Sequence, residues 1–291
     1  MITPGTPLVV LLSGGRDSVC LLDRAVAAGA RVTALHVNYG LRPEADEDER
    51  FCRALCERLG VPLVVHRAGA PAKGNLQAWA REVRYAAAAE LEGDIATGHT
   101  ATDQAETILY RLAASPGRRA LLGMKPREGR IVRPLLSVTR EETARHNEER
   151  GLPWREDATN DSDRFARNRI RAGLVEELRR IHPAAEANVN RTAELLRDEA
   201  EVLDQVVDTA LAGRDTIAVA TLAALPRALA RLIVRRLAED ATGRLCARAA
   251  GRLDDVLALE TGALDVGDGV RLVVEEGMLR VVPTPPVPSH A

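Results

Sequence analysis

A five-residue apolar run, Leu8-Val9-Val10-Leu11-Leu12, passes straight into Ser13-Gly14-Gly15-Arg16-Asp17-Ser18, and apolar residues then recur at helical spacing. An unbroken run of this kind marks a strand buried on both faces. Such a strand needs helices on both sides, which favours a parallel α/β sheet over a sandwich or a bundle. The first half of the chain repeats the rhythm. Short apolar runs at 8–12, 31–37, 62–66, 94–97 and 131–136 alternate with helix-like stretches at 17–29, 44–60, 75–92, 102–114 and 139–150. The predicted class is therefore α/β, a parallel sheet with helices on both faces. Ligands of such sheets bind beyond the carboxyl ends of the strands. Three strand ends carry the interest: SGGRDS, HVNYGLR and GHTATDQAET.

The pattern changes after residue 150. Residues 152–173 are polar and Arg-rich, and 183–211 read as a long connecting helix. Residues 214–282 read as a small α+β unit with a strand at 216–219, helices at 226–241 and 245–260, and a hairpin in GVRLVVEEGMLRVVP. The tail, 283–291, is Pro-rich and expected to be disordered. Aromatic residues are only 2%, so the cores must be built from Leu, Val and Ala. Of 40 Lys plus Arg, all but Lys73 and Lys125 are Arg, which reads as compositional bias. The net charge of −2 requires any nucleic-acid surface to be local. Cys20, Cys52, Cys56 and Cys246 form no CxxC pair, and Cys52 and Cys56 read as buried helix positions rather than half a metal site. No apolar run approaches the roughly 20 residues of a membrane span. No signal-peptide pattern opens the chain, and a cytoplasmic protein is expected.

Ser13 to Ser18 joins a strand to a helix. Glycine lets backbone N–H groups approach a ligand closely. The helix start adds unpaired donors and a dipole that favours anions. Ser13 and Ser18 add hydroxyls. The pattern predicts a phosphate cradle, with a Gly-rich cap turn as the plain alternative. Asp17 is the odd member, because a carboxylate repels phosphate; it is sensible as a Mg²⁺ ligand or as a cap on the loop. The spacing is neither G-x-x-x-x-G-K-[ST] nor G-x-G-x-x-G. Farther on, His99, Asp103 and Glu106 stand four and three apart, which places them on one helical face. Arg164, Arg167, Arg169 and Arg171 fall within eight residues, and the planar fork of arginine suits phosphate. A second basic run holds Arg111, Arg118, Arg119, Lys125, Arg127, Arg130 and Arg133 against the single acid Glu128. It reads as a loop that grips RNA phosphates or as a solvated surface.

SGGRDS resembles the PP-loop, S-G-G-x-D-S, of the N-type ATP pyrophosphatases. Its companions narrow the resemblance. His36 to Arg42 resembles H-V-N-H-G-L-R, with Tyr39 in place of the second His. Ala80-Arg81-Glu82-Val83-Arg84-Tyr85 resembles A-R-x-x-R-Y, and Gly98 to Leu112 resembles G-H-x-x-x-D-Q-x-E-T. Asp157 to Arg171 resembles D-x-[ST]-N…R-N-x-I-R. In this order the motifs are similar to those of the tRNA(Ile)-lysidine synthetases over about residues 8–172, and more loosely over 183–282.

The resemblance implies a Rossmann-like PP-loop catalytic domain over 1–182, a connecting helix over 183–213 and a tRNA-binding accessory domain over 214–282. Longer relatives carry a further C-terminal domain, for which this chain is expected to be too short. The implied ATP-binding residues are Ser13, Gly14, Gly15, Arg16, Asp17 and Ser18, with His36, Asn38, Gly98 and Arg167. The position of Arg16 varies in the family, so its side chain is assigned no role. Asp17, Ser18, His99 and Glu106 are the implied catalytic set, with Mg²⁺ held through Asp17. Asp103 and Glu106 would hold lysine, and Arg84, Arg118, Arg119, Asn168 and Arg171 would contact tRNA. The implied reaction is ATP-dependent attachment of L-lysine to C2 of the wobble cytidine of a CAU-anticodon tRNA(Ile), through an adenylated base. The alternatives are a PP-loop sulfurtransferase, disfavoured by the lack of CxxC, and a non-catalytic adenine-nucleotide sensor. No membrane partner is expected, and the oligomeric state is open, a homodimer included.

Overall fold

The computed structural model describes residues 2–69, 71, 74–115, 117–156 and 169–284. The chain forms two compact units, residues 1–196 and 197–291.

The first unit runs β1 (Pro7–Leu11), α1 (Arg16–Ala27), β2 (Arg31–Asn38), α2 (Ala45–Leu59), β3 (Leu63–Arg67), α3 (Leu76–Ala89), β4 (Asp94–Ala96) and α4 (Ala101–Ala114). It continues through α5 (Arg118–Leu121), β5 (Arg127–Glu128), β6 (Ile131–Val132), α6 (Arg140–Glu149), a π-helical turn (Ile170–Val175) and α7 (Glu176–Ile181) into α8 (Ala185–Leu211). The sheet order is β3-β2-β1-β4-β6-β5. All neighbours are parallel except β5, which pairs antiparallel with β6. Alternation along the first strand explains the two covered faces. Leu8, Val10 and Leu12 join Val19, Leu22, Cys52 and Leu55 on one side. Val9 and Leu11 join Leu35, Ala87, Ala88 and Ile95 on the other. Each buried Val, Leu or Ile among them contributes about 1.5–3 kcal/mol.

The α/β class expected from the sequence is the one observed, with two local corrections. The strand expected over 131–136 keeps only Ile131–Val132. Pro134 has no N–H to extend the ladder. The antiparallel edge Arg127–Glu128 was not anticipated, because two exposed charged residues carry no strand pattern.

The second unit contains the end of α8, then β7 (Thr216–Ala218), α9 (Val219–Ala224), α10 (Arg227–Thr242), a 3₁₀ turn (Ala249–Arg252), α11 (Leu253–Ala258), β8 (Gly262–Gly267), β9 (Val270–Glu275) and β10 (Met278–Pro283). Its antiparallel sheet has the order β7-β10-β9-β8. Ala230, Ile233, Val234 and Leu237 line one face of α10 and share a core with Val270, Leu272, Val274 and Leu279. Both hairpins turn on two residues with positive φ, Asp268-Gly269 and Glu276-Gly277, as the twist of a tight hairpin demands. Strand β8 was missed, although Asp-Gly after an alternating stretch is its signal. The helix expected over 245–260 starts late because two N–H groups leave the ladder. Cys246 N–H donates to Glu239 Oε1 (3.3 Å) and Arg248 N–H to Asp268 Oδ2 (3.2 Å). The tail expected to be disordered lies outside the described residues from 285 onward. Among the described residues no helix is long and apolar enough to cross a membrane.

Candidate active site at the switch point of the sheet

The winding of the sheet reverses between β1 and β4, so a crevice opens beyond their carboxyl ends. The SGGRDS turn follows β1 and the GHTATD turn follows β4. The two turns touch. A Cβ added to Gly98 would stand 3.2 Å from the carbonyl carbon of Asp17 and from Ser18 N. Any other residue at 98 would push the turns apart.

The glycine loop is held by its own hydroxyls. Gly14 has φ +83°, and a Cβ there would also meet Phe51 Cδ1 at 3.1 Å. Ser18 Oγ donates to Gly15 O (2.8 Å) and accepts from Ser13 N (3.3 Å), and the Ser13 and Ser18 hydroxyls lie 3.2 Å apart. Gly15 N–H donates to Ser13 Oγ (3.3 Å). Contacts of 3.2–3.3 Å are at the weak end for these groups, so anionic oxygens can replace them.

Asp17 is surrounded. Its Oδ1 accepts from Thr143 Oγ1 (2.5 Å) and Arg16 Nε (3.2 Å), while Oδ2 faces Arg140 Nε at 3.8 Å. Asn147 Nδ2 donates to Arg16 O (2.9 Å). Thus Arg140, Thr143 and Asn147, one face of α6, sit against the start of α1. Deeper along the same seam, buried Asp23 accepts from His146 Nε2 (2.8 Å) and Arg150 Nε (3.2 Å). Sequence reasoning missed Arg140 and Thr143. Their i, i+3 spacing is visible, but nothing local says that this face meets the loop.

At the end of β2, buried His36 donates from Nδ1 to Leu12 O (2.9 Å). Asn38 donates to Asp46 Oδ1 (2.9 Å) and Glu49 Oε2 (3.1 Å), and its Oδ1 accepts from Gly40 N (3.0 Å). The Asn38 amide, then Arg53 and Arg67, hold the Glu49 carboxyl down to about 2. Tyr39, which replaces a His of the motif, donates to Ala80 O (2.9 Å) and accepts from Arg84 Nε (3.1 Å). It thereby ties α3 and orients the exposed Arg84.

In the second turn, His99 Nδ1 lies 2.7 Å from Thr97 Oγ1. Thr100 caps α4, and the Asp103 carboxylate closes the capping box at 2.9 Å from Thr100 N. The helix starts at Ala101, so His99 stands before it; only Asp103 and Glu106 share a helical face. Glu106 is fully buried.

Much of the second basic run is internal bracing. Arg127 makes a two-point pair with Asp94 (2.9 and 2.6 Å). Arg130 donates to Gly93 O (2.8 Å) and Ala89 O (3.1 Å), closing the end of α3, and Arg133 donates to Lys125 O (2.6 Å). Arg118 and Arg119 are half-buried, with Arg118 Nη1 3.5 Å from Leu196 O. Arg164, Arg167, Asn168 and the side chain of Arg171 lie outside the described residues. All four cysteines are buried free thiols. Burial pushes Cys52 up to about 12, and Cys20 and Cys56 up to about 11. Among the described residues no group of His, Cys, Asp and Glu has the makings of a metal centre.

Residues 3–178 match the profile of the PP-loop domain. The tRNA(Ile)-lysidine synthase of Thermus thermophilus is 40% identical over 247 residues, covering 81% of this chain and 48% of that protein. That of Solibacter usitatus is 38% identical, covering 89% of this chain and 62% of its own. That of Gloeobacter violaceus is 36% identical, covering 84% and 80%. The chain therefore spans about half the length of the Thermus relative. Among solved structures, the U34-tRNA thiolase NcsA from Methanococcus maripaludis superposes with a TM-score of 0.56 at 17% identity, over 67% of this chain and 74% of that one. That likeness speaks for the fold alone. A PP-loop at the switch point, with relatives of this identity along most of this chain and one covered to 80% of its own length, means that the chain belongs to the PP-loop family and, within it, to the tRNA(Ile)-lysidine synthases.

Proposed function

We propose that this chain attaches L-lysine to C2 of the wobble cytidine of a CAU-anticodon tRNA(Ile), splitting ATP to AMP and pyrophosphate. The observation that carries the reading is the contact of two turns at one crevice. A loop of hydroxyl and N–H donors follows β1, and a turn bearing His99 follows β4 and leads into α4, the helix of Asp103 and Glu106; the two turns are pressed together at Gly98. Ser13, Gly15 and Ser18 hold the pyrophosphate moiety of ATP. The C2 carbonyl oxygen of cytidine attacks the α-phosphate, and pyrophosphate leaves. The ε-amine of lysine then bonds to C2, and AMP departs with the oxygen. An ε-ammonium has an ordinary pKa of about 10.4, so it must lose a proton before attack. His99 and Glu106 are the two candidates to take it. Asp103 and Glu106 orient the ammonium.

Magnesium fits the cradle as a companion of ATP. Among the described residues Asp17 Oδ2 meets Arg140, at 3.8 Å, and keeps room to accept. One carboxylate with phosphate oxygens and water is an ordinary magnesium set. When bound there, the ion neutralises phosphate charge; Arg16 and Arg140 add positive charge beside it. The cytidine must leave its stack to reach the crevice, which costs a few kcal/mol. Arg84, Arg118, Arg119, Asn168 and Arg171 are the proposed tRNA contacts, with residues 214–282 as an accessory tRNA-binding part. A tRNA substrate implies a cytoplasmic setting. Incubation with ATP, labelled lysine and a CAU-anticodon transcript tests the reading. Label on the wobble cytidine, matched by AMP and pyrophosphate, is expected; ATP cleavage with no label transferred, or no cleavage, overturns it.

A further inference from the structure

The glycine loop is held from outside by a residue that no motif covers. Leu152 and Trp154 pack into the core beside α1. The next residue, Arg155, forms an isolated parallel bridge with Gly15. Its N–H donates to Gly14 O at 3.0 Å. Its guanidinium reaches the first turn of α2, with Nε 2.5 Å from Asp48 Oδ1 and Nη2 3.2 Å from Glu47 Oε2.

Gly14 O and Gly15 N–H belong to one trans peptide, and a trans peptide points its C=O and N–H in opposite directions. With the carbonyl drawn outward to Arg155, Gly15 N–H must point inward, where it donates to Ser13 Oγ. Glycine on both sides of this peptide leaves little steric resistance to flipping the plane. Flipped, the carbonyl oxygen would face the anion and repel it. We propose that Arg155 is a positioning residue for the phosphate cradle. Its backbone N–H locks the Gly14–Gly15 peptide with the donor inward, and Glu47 and Asp48 hold Arg155 in place. The proposal rests on the phosphate-binding reading of the loop and needs no contact between Arg155 and ATP.

The test is pyrophosphate affinity of the full chain by calorimetry, with the Gly15 amide resonance followed by NMR. Arg155→Ala keeps the N–H and is expected to weaken pyrophosphate binding a few-fold. Arg155→Pro also removes the N–H and is expected to weaken it by a further factor of about ten. In wild type the Gly15 amide should shift on adding pyrophosphate, and in Arg155→Pro it should not. Equal affinities for the two variants would overturn the proposal. Should the proline variant not fold, Glu47→Gln/Asp48→Asn closes the argument. Combined with Arg155→Ala, it should weaken binding no further than Arg155→Ala alone, and additive losses would overturn the proposal. Wild-type protein that binds no pyrophosphate would remove the phosphate reading itself, and the proposal with it.

Discussion

Asp17 carries two opposed effects in one side chain. Removing its carboxylate leaves the Arg16 and Arg140 cations near the phosphates, which favours binding, but takes away the proposed magnesium oxygen and the Thr143 anchor. Asp17→Ala is therefore expected to abolish pyrophosphate release while Tm falls by only a few degrees. Full activity in this variant would withdraw the loop from the mechanism. Asp103 and Glu106 separate by their surroundings. Asp103 closes a capping box, so truncating it costs about 1 kcal/mol of helix stability whatever its role in binding. Glu106 is fully buried, and Gln keeps its volume. Glu106→Gln should raise the KM for lysine at least tenfold and leave the KM for ATP unchanged; an unaltered lysine dependence removes it from the amino-acid pocket.

Elements around the crevice are joined by polar seams as well as by apolar cores. Glu49 ties α2 to β2 through Asn38 and to β3 through Arg67. Its carboxyl is lowered from 4.5 to about 2 in the folded chain. A depressed carboxylate stabilises fully above its ordinary value and loses that contribution as pH falls through about 4.5 toward 2. Glu49→Gln should therefore lower stability at pH 7, by roughly 1 kcal/mol because both arginine partners are solvent-screened. The Tm gap to wild type should shrink between pH 7 and pH 3; a constant gap would mean that packing, not charge, is lost. These seams also mark where the sequence stops being readable. β1 and β2 announce themselves as bounded apolar runs, whereas the Thr100–Asp103 cap of α4 was passed over and His99 was placed on the helix that it precedes. Arg127–Glu128 has no pattern, because that strand exists only where β6 offers an edge. Thr143 and Arg140 looked like an ordinary polar helix face, and only the packing of α6 on α1 turns that face toward Asp17. Arg127, Arg130 and Arg133 read as a nucleic-acid or solvated surface, whereas the partners of Arg127 and Arg130, namely Asp94, Ala89 and Gly93, lie more than thirty residues away in sequence.

For the molecule as a whole, the near-neutral charge balance makes any grip on tRNA local. Within the basic run the adjacent pair Arg118 and Arg119 is the proposed contact. Replacing both with serine should flatten the logarithmic salt dependence of tRNA binding by about 1.5, the effect of two phosphate contacts. An unchanged slope would mean that this stretch is merely solvated. The two units also share one trait that no motif describes: neither presents a thiol to solvent. Burial raises the Cys20, Cys52 and Cys56 thiols, so little reactive thiolate forms at neutral pH. The native fold is therefore expected to react only slowly with a maleimide. A single cysteine placed at an exposed position such as Glu148 would then be the one reactive handle. Dyes or spin labels could report on whether this chain meets the proposed tRNA without a single native thiol being replaced.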